Sequence, residues 1–261
     1  MKPRLFIFGL GYTAARIAAQ AQAVGWEVVS TGRAGTLSYD DAGAVRLALA
    51  DAAQIISSVP PDGTGIDPVL EQYGAALADK RLTYLSSTGV YGDCGGAWVD
   101  ESAPTGTGRR SARSEADAAW LERGARVLRL PGIYGPGRSA LDRVRAGRAQ
   151  RIDLPGQIFS RVYVDDIVSG AMLALEAPAG AYNLADNLPA SQNAVIEHAS
   201  QLLRTSPPPL LSLEAAQLSP AARGFYDENR RVANAKAKRV LGWQPRFPTY
   251  REGLAALMAA A

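Results

Sequence analysis

At three points in this 261-residue chain, glycine, hydroxyl and arginine side chains stand where a strand would hand over to a turn. The first is Gly9-x-Gly11-x-x-Ala14. A first glycine permits a tight turn, a second lets the backbone approach a ligand, and a small third residue lets the helix pack on the strand, so that the helix N-terminal amides aim at an anion. In a strand-turn-helix setting that arrangement suits a dinucleotide pyrophosphate, and Tyr12 and Thr13 at the helix start belong to the same cradle. The second point is Ser30-Thr31-Gly32-Arg33. NAD sites place an acid there to accept from ribose hydroxyls; here Arg33 offers a planar donor fork to a 2'-phosphate instead, which prefers NADP and leaves NAD as second choice. The third is Ser86-Ser87-Thr88-Gly89-Val90-Tyr91-Gly92, a hydroxyl row at a strand end, where ligands bind in parallel sheets.

The elements that must position these residues follow from hydrophobic spacing. Residues 4–8 read as a strand, 14–24 as a helix stopped by Gly25, and 27–31 as a second strand. Only about twenty residues, 34–53, precede the next strand at 54–58. A parallel crossover alone takes about a dozen, so the third strand of a full unit and its helix are expected to be shortened or absent. Ser58, Val59 and Pro60 then lead into a Pro/Gly loop over 60–68. A helix over 69–78, a strand over 82–86, a polar loop over 87–108, a helix over 113–123 and a strand over 126–130 continue the alternation. This order predicts an α/β fold, a doubly wound parallel sheet with helices on both faces. Further helices are expected at 139–148, 165–176, 191–204, 234–241 and 250–260, the last opened by a Thr249/Glu252 capping box.

Composition excludes several alternatives. With 47% hydrophobic and 20% charged residues the chain is globular, and no apolar run reaches the roughly 18 residues of a bilayer span. A cytoplasmic protein is expected, with no membrane partner. One cysteine, Cys94, and one histidine, His198, leave no cluster for a metal. A net charge of +3 without a long basic tract argues against nucleic acid. Arg143, Arg145, Arg148 and Arg151 read as a solvated helix face, and Asp165-Asp166 as the cap of a helix start.

Three further strings make the pattern specific: Leu128-Arg129-Leu130-Pro131-Gly132-Ile133-Tyr134-Gly135-Pro136-Gly137, Arg161-Val162-Tyr163-Val164-Asp165-Asp166-Ile167, and residues 236–245 (KAKRVLGWQP). With the first three groups they resemble, in order along nearly the whole chain, the extended short-chain dehydrogenase/reductase family of NAD(P)-dependent epimerases and dehydratases. The resemblance implies a Rossmann domain over 1–135 plus about 162–188, and a small substrate-side domain over 136–161 plus 189–261. It implies that Gly9, Gly11 and Ala14 hold the pyrophosphate and that Val59 and Pro60 cover the cofactor. Thr88 takes the catalytic Ser/Thr position, and Pro131 and Ile133 line the nicotinamide. Ser58 and Ser86, at strand ends, are counted with the cofactor site.

The chain also departs from that family, whose catalysis uses a tyrosine and a lysine four residues later. None of the ten tyrosines here is followed by such a lysine, and no lysine occurs between Lys80 and Lys236. Alignment through Pro104-Thr105-Gly106 puts Ser111 and Glu115 at the two positions. Gly89 and Val90 stand where dehydratases carry acids, which argues against dehydration. An atypical, shortened branch is implied. Tyr91, three residues from Thr88, is the candidate replacement acid/base, with Arg109, Arg110 and Arg113 in the covering loop; Ser87, Arg109 and Arg113 are candidate substrate contacts. The reading is NADP-dependent hydride transfer on a small polar, sugar-nucleotide-like or phosphorylated molecule by a monomer or homodimer. Its rival is an NADP(H)-binding sensor without turnover.

Overall fold

A computed structural model describes residues 2–62, 65–108 and 111–260. Among the described residues, twelve strands run in chain order as β1 (Arg4–Phe8), β2 (Glu27–Ser30), β3 (Gln54–Ser57), β4 (Arg81–Ser87), β5 (Trp98–Val99), β6 (Arg126–Leu130), β7 (Gly132–Tyr134), β8 (Arg151–Ile152), β9 (Arg161–Tyr163), β10 (Gly180–Asn183), β11 (Leu210–Leu211) and β12 (Arg231–Val232). Six of them form one parallel sheet in the order β10-β6-β4-β3-β1-β2. The chain steps outward from β1 to β2 and then returns past β1 to β3, so the crevice for ligands opens at the carboxyl ends of β1 and β3. This is the expected doubly wound α/β sheet.

Period-two alternation explains the two cores. In β1, Leu5 and Ile7 face one layer, with helix α1 (Tyr12–Ala23) and its buried Ile17. Phe6 and Phe8 face the other, with Val45 and Leu49 of α2 (Ala42–Ala50), Val69 and Tyr73 of α3 (Pro68–Tyr73), and Trp120 of α4 (Ser111–Glu122). Because both faces are covered, β1 reads as a continuous apolar run. A third cluster joins α5 (Ala140–Arg145), α6 (Val164–Ala174), α7 (Gln192–Leu202) and α10 (Tyr250–Ala259), through residues such as Leu141, Val164, Val195 and Leu254. Two short helices, α8 (Pro220–Arg223) and α9 (Ala235–Leu241), complete the chain, and α9 closes on Gly242 at φ +65°.

The segment over 34–53 contains one parallel bridge, Thr31 to Leu37, and helix α2, capped by Asp41, which accepts from the Ala44 amide at 3.0 Å. The missing strand leaves β2 at the sheet margin. Of three short parallel pairs, β5 with β12 ties the C-terminal half to the body, while β7 with β9 and β8 with β11 join segments within that half. The Thr249/Glu252 capping box is present. Asp166 differs from its expected role: its carboxylate accepts from the Arg246 and Phe247 amides at 2.6 and 3.1 Å, so it anchors the C-terminal segment instead of capping its own helix. Among the described residues no helix is long and apolar enough to cross a membrane.

Candidate functional site

The glycine turn is clamped from both sides. Gly9 sits at φ +78°; its amide donates to the Thr31 hydroxyl at 3.3 Å, and the Ser58 hydroxyl donates to its carbonyl at 2.6 Å. A side chain on Gly9 would meet Ser58 and Val59 at about 3 Å, so the turn needs glycine in both shape and space. Gly11 differs: nothing lies within 4 Å of the place a Cβ would take, and it precedes α1 with no side-chain cap and no acid in the first turn. The first amides of this twelve-residue helix therefore have no side-chain cap, and Gly11, Tyr12 and Thr13 line a cleft. Ala14 is buried against the core, as the third position requires. These residues fit a dinucleotide pyrophosphate. Arg33 is exposed just beyond Gly32, where the loop passes so close that a Cβ on Gly32 would lie 3.0 Å from the Leu10 amide.

At the end of β4 the hydroxyls divide their roles. The Ser86 hydroxyl donates to Asp117 at 2.6 Å, and Asp117 forms a two-point buried ion pair with Arg129 at 2.7 and 3.1 Å. Arg129 also donates to the Tyr91 hydroxyl at 3.0 Å, which donates onward to Asn183 at 2.8 Å. Burial raises the Tyr91 phenol above its usual value, against the pull of Arg129. Ser87 lines the cleft while its oxygen accepts from the Gly89 amide at 3.1 Å. Thr88 opens a tight turn over Thr88–Tyr91; its hydroxyl has no partner among the described residues, and it lines the cleft.

One cleft of about 1240 Å³ receives most of the sequence-named residues: Gly11, Tyr12, Thr13, Ala14, Ser58, Ser86, Ser87, Thr88, Arg113, Pro131 and Ile133 all face it. Gly9, Arg33, Val59 and Pro60 are not among the residues that line it. Tyr12 closes one rim, its hydroxyl donating to the Pro136 carbonyl at 3.1 Å and its ring 4.0 Å from the Arg16 guanidinium.

The expectation for Tyr91 is corrected. It is buried, both sides of its hydroxyl are engaged within the Arg129–Asn183 network, and it does not face the cleft. The alignment of Ser111 and Glu115 with the tyrosine and lysine positions is corrected too. Both are exposed; Glu115 turns toward Gly65, while Arg113, two residues away, is the α4 side chain that reaches the cleft. Arg113 donates to the Tyr84 hydroxyl at 2.8 Å, whose phenol burial pushes up to about 12. Arg109 and Arg110 lie outside the described residues. Of the four arginines expected on a solvated face, Arg151 pairs with Glu197 and Arg145 turns to Met258, whereas Arg143 and Arg148 line the cleft.

Sequence reasoning missed the C-terminal wall. Arg230 pairs with Glu228 at 2.9 Å, donates to the Gly92 carbonyl at 2.6 Å, and comes 3.9 Å from where a Gly89 Cβ would be, next to Thr88. No local spacing relates residue 230 to residue 88. The β5–β12 pairing and the loop before β12 bring them together.

No family model matches the chain. A 3-diazoavenalumate denitrifying reductase from a Streptomyces species is 30% identical over 207 residues, covering 71% of this chain and 67% of that protein. A solved structure from Silicibacter pomeroyi DSS, described as a functionally unknown conserved protein, is 36% identical with TM-score 0.88 over 100% of this chain and 99% of that one. A human epimerase family protein solved with NADPH shares the fold at 17% identity, TM-score 0.79, over 99% of this chain and 100% of that one. With the glycine turn, the Thr88 turn and the Pro131–Ile133 wall meeting in one cleft, this likeness makes the chain a member of the extended short-chain dehydrogenase/reductase family, an NAD-dependent epimerase/dehydratase-like protein of a shortened, atypical branch.

Proposed function

We propose that this protein is an NADP(H)-dependent reductase that acts on a small molecule held between the Thr88 turn and the C-terminal wall. The observation that carries this reading is the unpartnered Thr88 hydroxyl in the same cleft as the open Gly11 cradle and the Pro131–Ile133 wall. In it, residues 1–135 with 162–188 hold the cofactor, and 136–161 with 189–261 supply the substrate side.

When bound, the nicotinamide supplies or accepts a hydride. The α1 amides bind the pyrophosphate, and Arg33 meets the 2'-phosphate. Thr88 donates a hydrogen bond to the reacting group and orients it. Arg230, its charge fixed by Glu228, stabilises negative charge developing beside Thr88. The Asp117–Arg129 pair joins α4 to β6, and the Ser86 hydroxyl of β4 donates to the same carboxylate beneath the site. Because Tyr91 is committed elsewhere, the site favours acceptors that need little proton donation, and the reductase name of the Streptomyces relative supports that direction.

The test is a fluorescence titration with NADPH and NADH, followed by a screen of small electrophiles for loss of NADPH absorbance. NADPH binding with turnover abolished in Thr88→Val supports the reading. Tight binding without turnover of any acceptor would support a sensor instead. Arg33→Ala should weaken NADPH by about tenfold or more and NADH little, since a charged hydrogen bond contributes about 1.5–3 kcal/mol; equal losses would refute the NADP assignment.

A further inference from the structure

We propose that the far lobe of the cleft binds a planar aromatic or conjugated carboxylate, and that this anion is the substrate class of the reductase reading, on which the inference rests. The lobe is the part of the cleft lined by Asp142 and Arg143 of α5, by Arg148 and by residues of the segment over 218–230.

Its charges are unevenly spent. Asp142 accepts from the Ser139 amide and hydroxyl at 2.9 and 2.7 Å, and Glu228 is paired with Arg230. Arg143 and Arg148 line the same space, are exposed, and have no acceptor among the described residues. The cleft is lined by Arg113, Arg138, Arg143, Arg148, Arg161 and Arg230 against the carboxylates of Asp142 and Glu228, so positive charge is in excess, which selects an anion.

Its lining is also aromatic. Phe159 and Tyr226 meet edge to face, ring centres 5.6 Å apart at 89°, and Phe225 stands 50% exposed at the rim. Arg143, Phe159 and Tyr226 line the same cleft, so the cation and the rings face one ligand space. Flat aromatic walls beside guanidinium groups suit a planar ring carrying a carboxylate.

A sugar nucleotide's many hydroxyls find few neutral partners here: the Ser139 hydroxyl donates to Asp142, while Ser160, whose oxygen accepts from the Val232 amide, and Gln192, whose carbonyl accepts from Arg161 at 3.0 Å, keep only their donor hydrogens.

The experiment uses the full chain with saturating NADPH and three probes: 4-hydroxycinnamate, its methyl ester, and UDP-glucose, followed by calorimetry. The expected result is binding of the cinnamate, about tenfold or more weaker binding of the ester, and no binding of UDP-glucose. Arg143→Ala/Arg148→Ala should weaken the cinnamate about tenfold or more, with NADPH affinity and melting temperature unchanged, because both positions are exposed. Equal binding of acid and ester, or preferential binding of UDP-glucose, would overturn the proposal. So would loss of NADPH affinity in the double variant, which would assign the arginines to the cofactor. NADPH binding without cinnamate binding defeats this inference alone; failure of NADPH to bind defeats the reductase reading with it.

Discussion

Thr88 and Tyr91 stand three residues apart and their hydroxyls meet opposite fates, one in the cleft and one in a buried network. Thr88→Val should therefore lower kcat about tenfold or more while leaving the melting temperature nearly unchanged; an unaltered kcat would remove Thr88 from the chemistry. Tyr91→Phe should do the reverse. It leaves Asn183 and Arg129 each short of a partner in a buried site, at a cost of about 1–3 kcal/mol in unfolding free energy, with kcat retained below the melting transition. Denaturant unfolding beside steady-state kinetics separates the two. At this scale the sequence was readable where a residue's role depends on its neighbours in the chain, as for Gly9, Gly11 and Ala14. It was misleading where the role depends on direction: a 3₁₀ turn after Ser87 sends residue 88 outward and residue 91 inward. Arg113 was found, but its register on α4 was not, because Ser111, Arg113 and Glu115 are equally polar in sequence and only packing decides which one the helix turns inward.

The strand-to-helix turn after β1 contains two glycines whose reasons can be told apart. Gly9→Ala forces a positive φ and a contact near 3 Å with Ser58, so it should destabilise the fold by about 1–2 kcal/mol. Gly11→Ala meets no protein atom within 4 Å, so it should leave stability within about 0.5 kcal/mol and yet cut NADPH affinity, as its methyl enters the cradle. Thermal melts paired with NADPH titration test this; parallel losses in both variants would show that Gly11 is structural. Elements with both a strong period and a punctuating residue were legible, as with β6, α9 and its Gly242, and the capping box of α10. The two-residue strands were not. β5, β8, β11 and β12 are too short to show a period and exist because a partner segment arrives from far along the chain.

Across the whole molecule, Asp186 is the clearest conflict between burial and charge. One of its oxygens accepts from the Leu188 amide, the other has no partner, and burial pushes its carboxyl up to about 7. A folded-state value above the unfolded one means the folded protein holds this proton longer, so stability falls as pH rises from about 4 to about 7 and is level above that. Asp186→Asn removes this slope. Relative to the parent, the variant should gain on the order of 2–4 kcal/mol between pH 4 and pH 8, read from urea unfolding at each pH. A constant difference across that range would show that Asp186 does not titrate there. Such a group was invisible in sequence, where Asp186 is one polar residue in a short loop after β10. The sheet order, by contrast, was foreshadowed by arithmetic: the 23 residues between β2 and β3 are too few for another strand between two helices. That economy also bears on time. With β2 at the open margin, the adenosine end of a nucleotide held as proposed would lie at the edge of the sheet, so NADPH should come and go within each turnover cycle rather than stay as a resident group. Stopped-flow displacement should give a dissociation rate faster than kcat, and a slower one would mean that the margin is closed by something other than this strand.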